Sequence, residues 1–164
     1  MSGPLPWKRC DGGRAAAGLL PLSDAVRGDC ATRAIAIAAR LEYDQARQLL
    51  NRVWQTAQEW SGSGHPIKPY ADADDGVPIA VTRRVLQSEL GWEYHDVFVT
   101  QPTFVQKHLP MGSVVVMLAG DLHVCAVVDW VLYDTYDCTD GGQATIAAYW
   151  TPPPPIVGAA SGGA

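Results

Sequence analysis

Apolar residues recur at helical spacing in three segments that precede Trp92. From Asp29 the stretch DCATRAIAIAARL is dense in alanine and isoleucine, which predicts a helix that is buried on most sides and capped by Asp29. In DQARQLLNRVWQTAQEW the apolar residues return every three or four positions, which predicts an amphipathic second helix. A third helix is predicted to begin at Pro78 and to end at Gly91, because proline favours a helix start and glycine a helix end.

Short apolar runs replace this helical spacing in the second half of the chain. Residues 92–99 are rich in aromatic and β-branched residues and predict a strand, and residues 102–109 predict a short helix. Three further runs are separated only by short turn segments, which predicts an antiparallel meander. These runs cover residues 113–118, 123–128 and 131–135. A last strand is predicted at residues 145–150, where an outer strand would be available for association.

The turn at residues 129–130 sets the register of the second hairpin. If the chain turns there, His123 falls opposite Tyr136. Asp134 then falls opposite Cys125, and all four side chains project from one face of the sheet. Asp-Trp is unusual in a two-residue turn, so a longer loop is the alternative.

The chain has 164 residues, enough for one domain with a core of its own. We expect an irregular N-terminal arm at residues 1–28, a single domain at residues 29–150, and a disordered tail rich in proline, glycine and alanine at residues 151–164. Helices followed by antiparallel strands indicate an α+β fold, in which the alanine-rich helix packs against the sheet.

Charge and cysteine usage exclude several classes of protein. The net charge of −5 at pH 7 argues against nucleic acid as a partner, and no apolar run approaches the length of a membrane span. The N-terminus has no secretory apolar region, and the cysteines form no C-x-x-C pair. These cysteines are Cys10, Cys30, Cys125 and Cys138. We therefore expect a cytoplasmic protein without cofactor or metal, in which Cys125 and Cys138 are structural.

The first turn of the alanine-rich helix is the strongest candidate for chemistry. Cys30 lies there, where free N–H groups and the helix dipole favour a thiolate and could also bind an oxyanion. A thiolate needs a base, and the base needs a third group that fixes its ring. His123 and Asp134 fit these two roles. Asp137 is the second choice, because a slip of one residue would exchange the two aspartates.

Two segments contain these candidate residues. They are GDCATRAIAIAA, a helix opened by a cysteine, and HVCAVVDWVLYDTYDC, a strand histidine followed by a strand aspartate. Together they resemble the papain-like cysteine peptidase superfamily, especially its small bacterial and phage-encoded members. The resemblance implies a papain-like fold and an acyl-enzyme on Cys30, with His123 as base and then acid and Asp134 as the orienting group. It also implies a protein or peptide substrate, in a bacterium or a phage-infected host cell.

One feature departs from that family. Papain-like enzymes usually carry a glutamine shortly before the cysteine, but residues 24–29 read DAVRGD. A carboxylate at Asp24 or Asp29 would repel an oxyanion. Two alternatives to a hydrolase therefore stay open: an acyl transferase or deamidase with the same triad, and a non-catalytic structural or host-interaction protein on the same fold. The oligomeric state is also open.

Overall fold

The computed structural model describes most of the chain, with residues 57–60 described by their backbone alone. The described residues are 3–19, 28–60, 72–73, 76–100, 102–105, 108–120 and 123–154. In this part of the chain the helices are α1 (Cys30–Ala39), α2 (Tyr43–Trp60) and α3 (Ile79–Arg84), and α3 continues into a π-helical turn, Val85–Glu89. The strands are β1 (Trp7–Arg9), β2 (Glu93–Asp96), β3 (Ser113–Leu118), β4 (Val124–Val128), β5 (Val131–Asp134) and β6 (Ile146–Thr151). No helix in the described ranges is both long enough and apolar enough to cross a membrane.

The six strands form one sheet in the order β1-β5-β4-β3-β6-β2. Strand β1 runs parallel to β5, and the other neighbours are antiparallel. The mixed α+β class and the meander β3-β4-β5 are thereby confirmed.

The hairpin between β4 and β5 has the predicted register. Val128 pairs with Val131, and Ala126 pairs with Tyr133. Residues 129–130 both have positive φ, 49° and 61°, as a two-residue type I′ turn requires. The short turn therefore forms although neither residue is glycine, and the alternative of a longer loop is wrong.

The N-terminal arm differs from the prediction at one point. Residues 1–28 were expected to be irregular, yet Trp7–Arg9 forms β1 and pairs with residues 132–134. Three residues are too few to show a strand period, and the pairing partner lies far along the chain. Residues 20–27 of the arm and residues 155–164 of the tail lie outside the described residues.

Two local predictions in the second half differ from the structure. The helix predicted at residues 102–109 is absent from residues 102–105, where Thr103 and Val105 form isolated bridges and Phe104 between them is fully buried. This tertiary burial overrides the local helical preference. His108 lies in a 3₁₀ turn, and residues 106–107 lie outside the described residues. The last strand, β6, is not an outer strand, because it lies between β3 and β2. Strand order depends on contacts between distant segments, which alternation within one strand does not specify.

The two faces of the sheet have different coverings. One face packs against the helices, and its buried side chains include Val115, Val124, Ala126 and Trp150. The other face packs against irregular segments that contribute Leu5, Phe104 and Leu109. Helix α1 lies across β3, β4 and β5.

The end of the β4-β5 hairpin opposite its turn brings together the start of β4, the end of β5 and the first turn of α1. His123 directly precedes β4, and Asp134 is the last residue of β5, so both lie at this end. The first turn of α1 reaches the same place, because Arg33 contacts Asp134.

Candidate active site

A hydrogen-bonded pair, His123 and Asp134, lies at the centre of this end of the sheet. Nε2 of His123 is 2.6 Å from Oδ2 of Asp134, and the two side chains are 12% and 2% exposed. The other oxygen, Oδ1, accepts hydrogen bonds from Nη2 of Arg33 at 3.2 Å and from the backbone N–H of Thr135 at 2.7 Å. Both carboxylate oxygens are therefore engaged, which fixes the orientation of the Asp134 side chain.

The surroundings keep both members of the pair charged. Burial alone would lower the pKa of His123, but hydrogen bonds with Asp134, Cys138 and Cys30 raise it to about 12. Burial alone would raise the pKa of Asp134, but the hydrogen bond and charge of His123 and the charge of Arg33 hold it below its ordinary value. At neutral pH the pair is thus an imidazolium and a carboxylate.

Cys30 shares the same imidazole. It is the first residue of α1, it is partly exposed, and it lies close enough to His123 to contribute, with Cys138, to the raised pKa of the imidazole. Because Nε2 of His123 is directed at Asp134, Nδ1 is the ring nitrogen left for a thiol. The structure thus places near one another the three residues that the sequence selected, and Cys30 is the partly exposed member.

The second choice for the aspartate lies elsewhere. The Asp137 carboxylate accepts hydrogen bonds from the backbone N–H of Thr139 at 3.0 Å and from its hydroxyl at 2.6 Å. It therefore closes its own turn, while Asp134 pairs with His123. Tyr136 is where the register places it, with its ring centre 5.2 Å from that of His123.

Asp29 has a different role from the predicted helix cap. Its side chain makes no capping hydrogen bond. Its fully buried carboxylate instead forms an ion pair with Arg33 and accepts hydrogen bonds from Nη1 of Arg14 at 3.1 Å and the hydroxyl of Tyr43 at 3.0 Å. A carboxylate without solvent needs such partners, and this need outweighs the cap. Its charge is compensated, and its side chain does not occupy the first-turn N–H groups.

Two glycines let neighbouring segments approach the start of α1 closely. Gly12 has a φ of 67°, and a Cβ there would lie 2.9 Å from the Cα of Arg33. Gly76 has a φ of 107°, and a Cβ there would lie 2.8 Å from the carbonyl oxygen of Gly28. Each position therefore excludes a side chain by both conformation and space.

Two members of the site were missed by the sequence analysis. Arg33 lies one turn after Asp29, and an arginine inside an otherwise apolar helix is a signal that could have identified it. Cys138 was expected to be structural, but its sulfur and ligand atoms of His123 and Asp134 all lie within 4.8 Å of one another. It follows the end of β5, where strand alternation no longer predicts direction.

The thiol of Cys138 has an unusual environment. A hydrogen bond with Cys125 lowers the pKa of Cys138 against the effect of burial, and His123 lowers it further. Burial raises the pKa of Cys125. Cys138 is buried, with 8% of its surface exposed, whereas Cys30 is partly exposed.

The donors of Cys138, His123 and Asp134 are of the types that bind zinc. However, Nε2 and Oδ2 are bonded to each other, and Oδ1 is held by Arg33 and Thr135. A metal ion would have to displace these contacts. As it stands, the arrangement suits nucleophilic chemistry by a thiol that has an oriented imidazole beside it.

Comparisons with known proteins add no relative. No protein-family model, no curated protein and no solved structure matches this chain. Its function is therefore inferred from the residues and geometry of the site.

Proposed function

We propose that this protein is a cysteine hydrolase, a peptidase or amidase of the papain-like type, that works through an acyl-enzyme on Cys30. The observation that carries the proposal is the imidazole of His123, which is hydrogen-bonded to buried Asp134 and whose pKa is raised further by the nearby thiols of Cys138 and Cys30. The resemblance of the sequence to papain-like peptidases supports the same three residues in the same order.

The chemistry follows from the positions of the groups. Cys30 attacks an acyl carbon as its thiolate, a C–S bond forms, and the carbonyl electrons move onto the oxygen. Backbone N–H groups of the first turn of α1 stabilise this oxyanion. The oxyanion then collapses, the bond to the leaving amine breaks, and the His123 imidazolium gives that amine its proton. Asp134 remains ionised and keeps the ring in place.

Release of the acyl group uses the same residues in the opposite sense. Neutral His123 takes a proton from water, the hydroxide adds to the acyl carbon, and the C–S bond breaks. The carboxylic acid leaves and the thiolate–imidazolium pair is restored. An amine in place of water would give acyl transfer.

The charges around the site are consistent with a thiolate. The cationic groups are Arg14, Arg33 and the His123 imidazolium, and the anionic ones are Asp29 and Asp134, so the cations outnumber the carboxylates. Each carboxylate contacts at least one cation, so Asp29 no longer opposes an oxyanion as its sequence position suggested.

Selective alkylation tests the nucleophile. At about pH 6 we expect iodoacetamide to modify Cys30 much faster than Cys10, which is also partly exposed and serves as the control thiol. His123→Ala should slow modification of Cys30 about tenfold or more, because the thiolate loses its imidazolium. Equal alkylation rates at Cys30 and Cys10 in the protein without substitutions would overturn the proposal.

An activated ester distinguishes the reaction types. With p-nitrophenyl acetate, we expect an acetyl group on Cys30 that is then lost to water, and none in Cys30→Ser. Release that occurs only after addition of a primary amine would identify an acyl transferase instead. A folded protein that is never acetylated at Cys30 would favour the non-catalytic alternative.

A further inference from the structure

We propose that Arg33 is a positioning residue of this site. It holds the Asp134 carboxylate so that one carboxylate oxygen is directed at His123. It also links this carboxylate to Asp29, the residue before Cys30. The inference rests on the proposed function, because it connects the nucleophile to the orienting group.

The contacts of the guanidinium carry the proposal. The Arg33 side chain is 5% exposed, and its two terminal nitrogens contact different carboxylates. Nη1 is bonded to Asp29, and Nη2 lies 3.2 Å from Oδ1 of Asp134. Nε has no partner among the described atoms, so the hold on both aspartates depends on the two-pronged end of the side chain.

This arrangement gives the two oxygens of Asp134 different partners. Oδ1 is held by Arg33 and by the backbone N–H of Thr135, which leaves Oδ2 for Nε2 of His123. An ionised carboxylate only accepts hydrogen bonds, so His123 must direct an N–H at it, which leaves the other ring nitrogen for a thiol. Without Arg33 only Thr135 would hold Oδ1, so the carboxylate and the imidazole that it orients would be less firmly fixed.

Arg33 also joins two parts of the fold that are distant in sequence. It lies in the first turns of α1, and Asp134 ends β5, 101 positions further along the chain. The Asp29 end of the link is itself anchored by Arg14 and Tyr43. The guanidinium therefore sets the distance between the helix that carries the nucleophile and the strand that carries the orienting carboxylate.

The test compares Arg33→Gln and Arg33→Lys with Arg47→Gln in the full chain. Arg47 is a matched control, because it also contacts two carboxylates, Asp44 and Asp72, but lies on α2 and is 30% exposed. Rates of iodoacetamide modification of Cys30 are measured by peptide mass spectrometry at about pH 6 and about pH 8.5, where an ordinary thiol is half ionised.

We expect Arg33→Gln to lower the rate at the lower pH about ten- to hundredfold, because small misplacements of catalytic groups have effects of this size. The decrease at the higher pH should be smaller, since a thiol there ionises without help. Arg33→Lys should give an intermediate decrease, because an ammonium group lacks the two-pronged geometry. Arg47→Gln should give the same Cys30 alkylation rates as the protein without substitutions.

The possible outcomes separate the two proposals. Cys30 could be selectively reactive in the protein without substitutions, and Arg33→Gln could give the same alkylation rate at both pH values. In that case the positioning role is wrong and the hydrolase proposal stands. An equal decrease at both pH values also contradicts positioning, since it indicates general loss of structure. If Arg33→Gln does not fold, Arg33→Lys tests the positioning role instead. An alkylation rate of Cys30 equal to that in the protein without substitutions then refutes the role. If Cys30 has no selectivity before any substitution, the proposed function itself fails.

Discussion

Replacing Asp134 with asparagine should change both the stability of the protein and its dependence on pH. The substitution keeps the shape of the side chain and removes its charge. Asp134 is 2% exposed and contacts His123 at 2.6 Å and Arg33 at 3.2 Å. Removing one partner of a buried ion pair typically costs about 3–5 kcal/mol, so we expect a loss of this size in the free energy of unfolding near pH 5.5.

The pH dependence follows from the two pKa values. The pKa of Asp134 is lowered by folding, so its contribution is complete above about pH 4 and is lost on acidification through its folded value. The pKa of His123 is raised from 6.5 to about 12, so its contribution is complete below 6.5 and declines above that value. Between pH 6.5 and about pH 12 the folded protein keeps a proton on His123 that the unfolded chain has released. The free energy of unfolding therefore falls by about 1.4 kcal/mol per pH unit in this range.

Asp134→Asn removes the main cause of the raised pKa of His123 and therefore most of this slope. Urea unfolding followed by tryptophan fluorescence would measure both proteins at several pH values. The stability difference between them should shrink by about 2 kcal/mol between about pH 5.5 and about pH 8, since the ionisations that they share cancel. A difference that stays constant over this range would show that folding does not hold His123 as an imidazolium, and would refute the reasoning.

Two further substitutions test neighbouring parts of the site. Asp137→Asn should leave alkylation of the nucleophile unchanged and cost about 1 kcal/mol in urea unfolding, because its carboxylate only accepts hydrogen bonds from Thr139. A large loss of alkylation would instead favour Asp137 as the orienting group. Gly12→Ala should destabilise the protein more than Gly18→Ala, by about 1–3 kcal/mol, since both positions have positive φ but only Gly12 lies against Arg33. Equal losses in a thermal melt would contradict this close contact.

The parts of the site that the sequence predicted are those that depend on local periodicity. Side chains alternate along a strand, so a turn at residues 129–130 was sufficient to place His123 and Asp134 on one face. Likewise, the composition change at Asp29 located the start of the helix that carries Cys30. Both inferences need only a few neighbouring residues.

The parts that were missed depend on contacts between distant segments. Cys138 reaches His123 from a turn beyond β5, where no period applies. The role of Asp29 could not be separated from capping, because the Arg14 that competes for its carboxylate comes from the N-terminal arm. Strand β1 had the same difficulty, because its partner, β5, lies far along the chain.

These long-range contacts also explain why a buried arginine is useful at this site. An orienting carboxylate shielded from water must be neutralised, or its pKa rises and it no longer directs the imidazole. His123 alone cannot do this throughout a reaction, because it loses its proton to the leaving amine in the proposed mechanism. Arg33 keeps its charge at that moment and remains bonded to Asp134. In the proposed mechanism the arginine therefore stabilises the carboxylate for as long as the histidine is neutral, from departure of the amine until water gives up its proton, and its contact with Asp29 holds it beside Cys30.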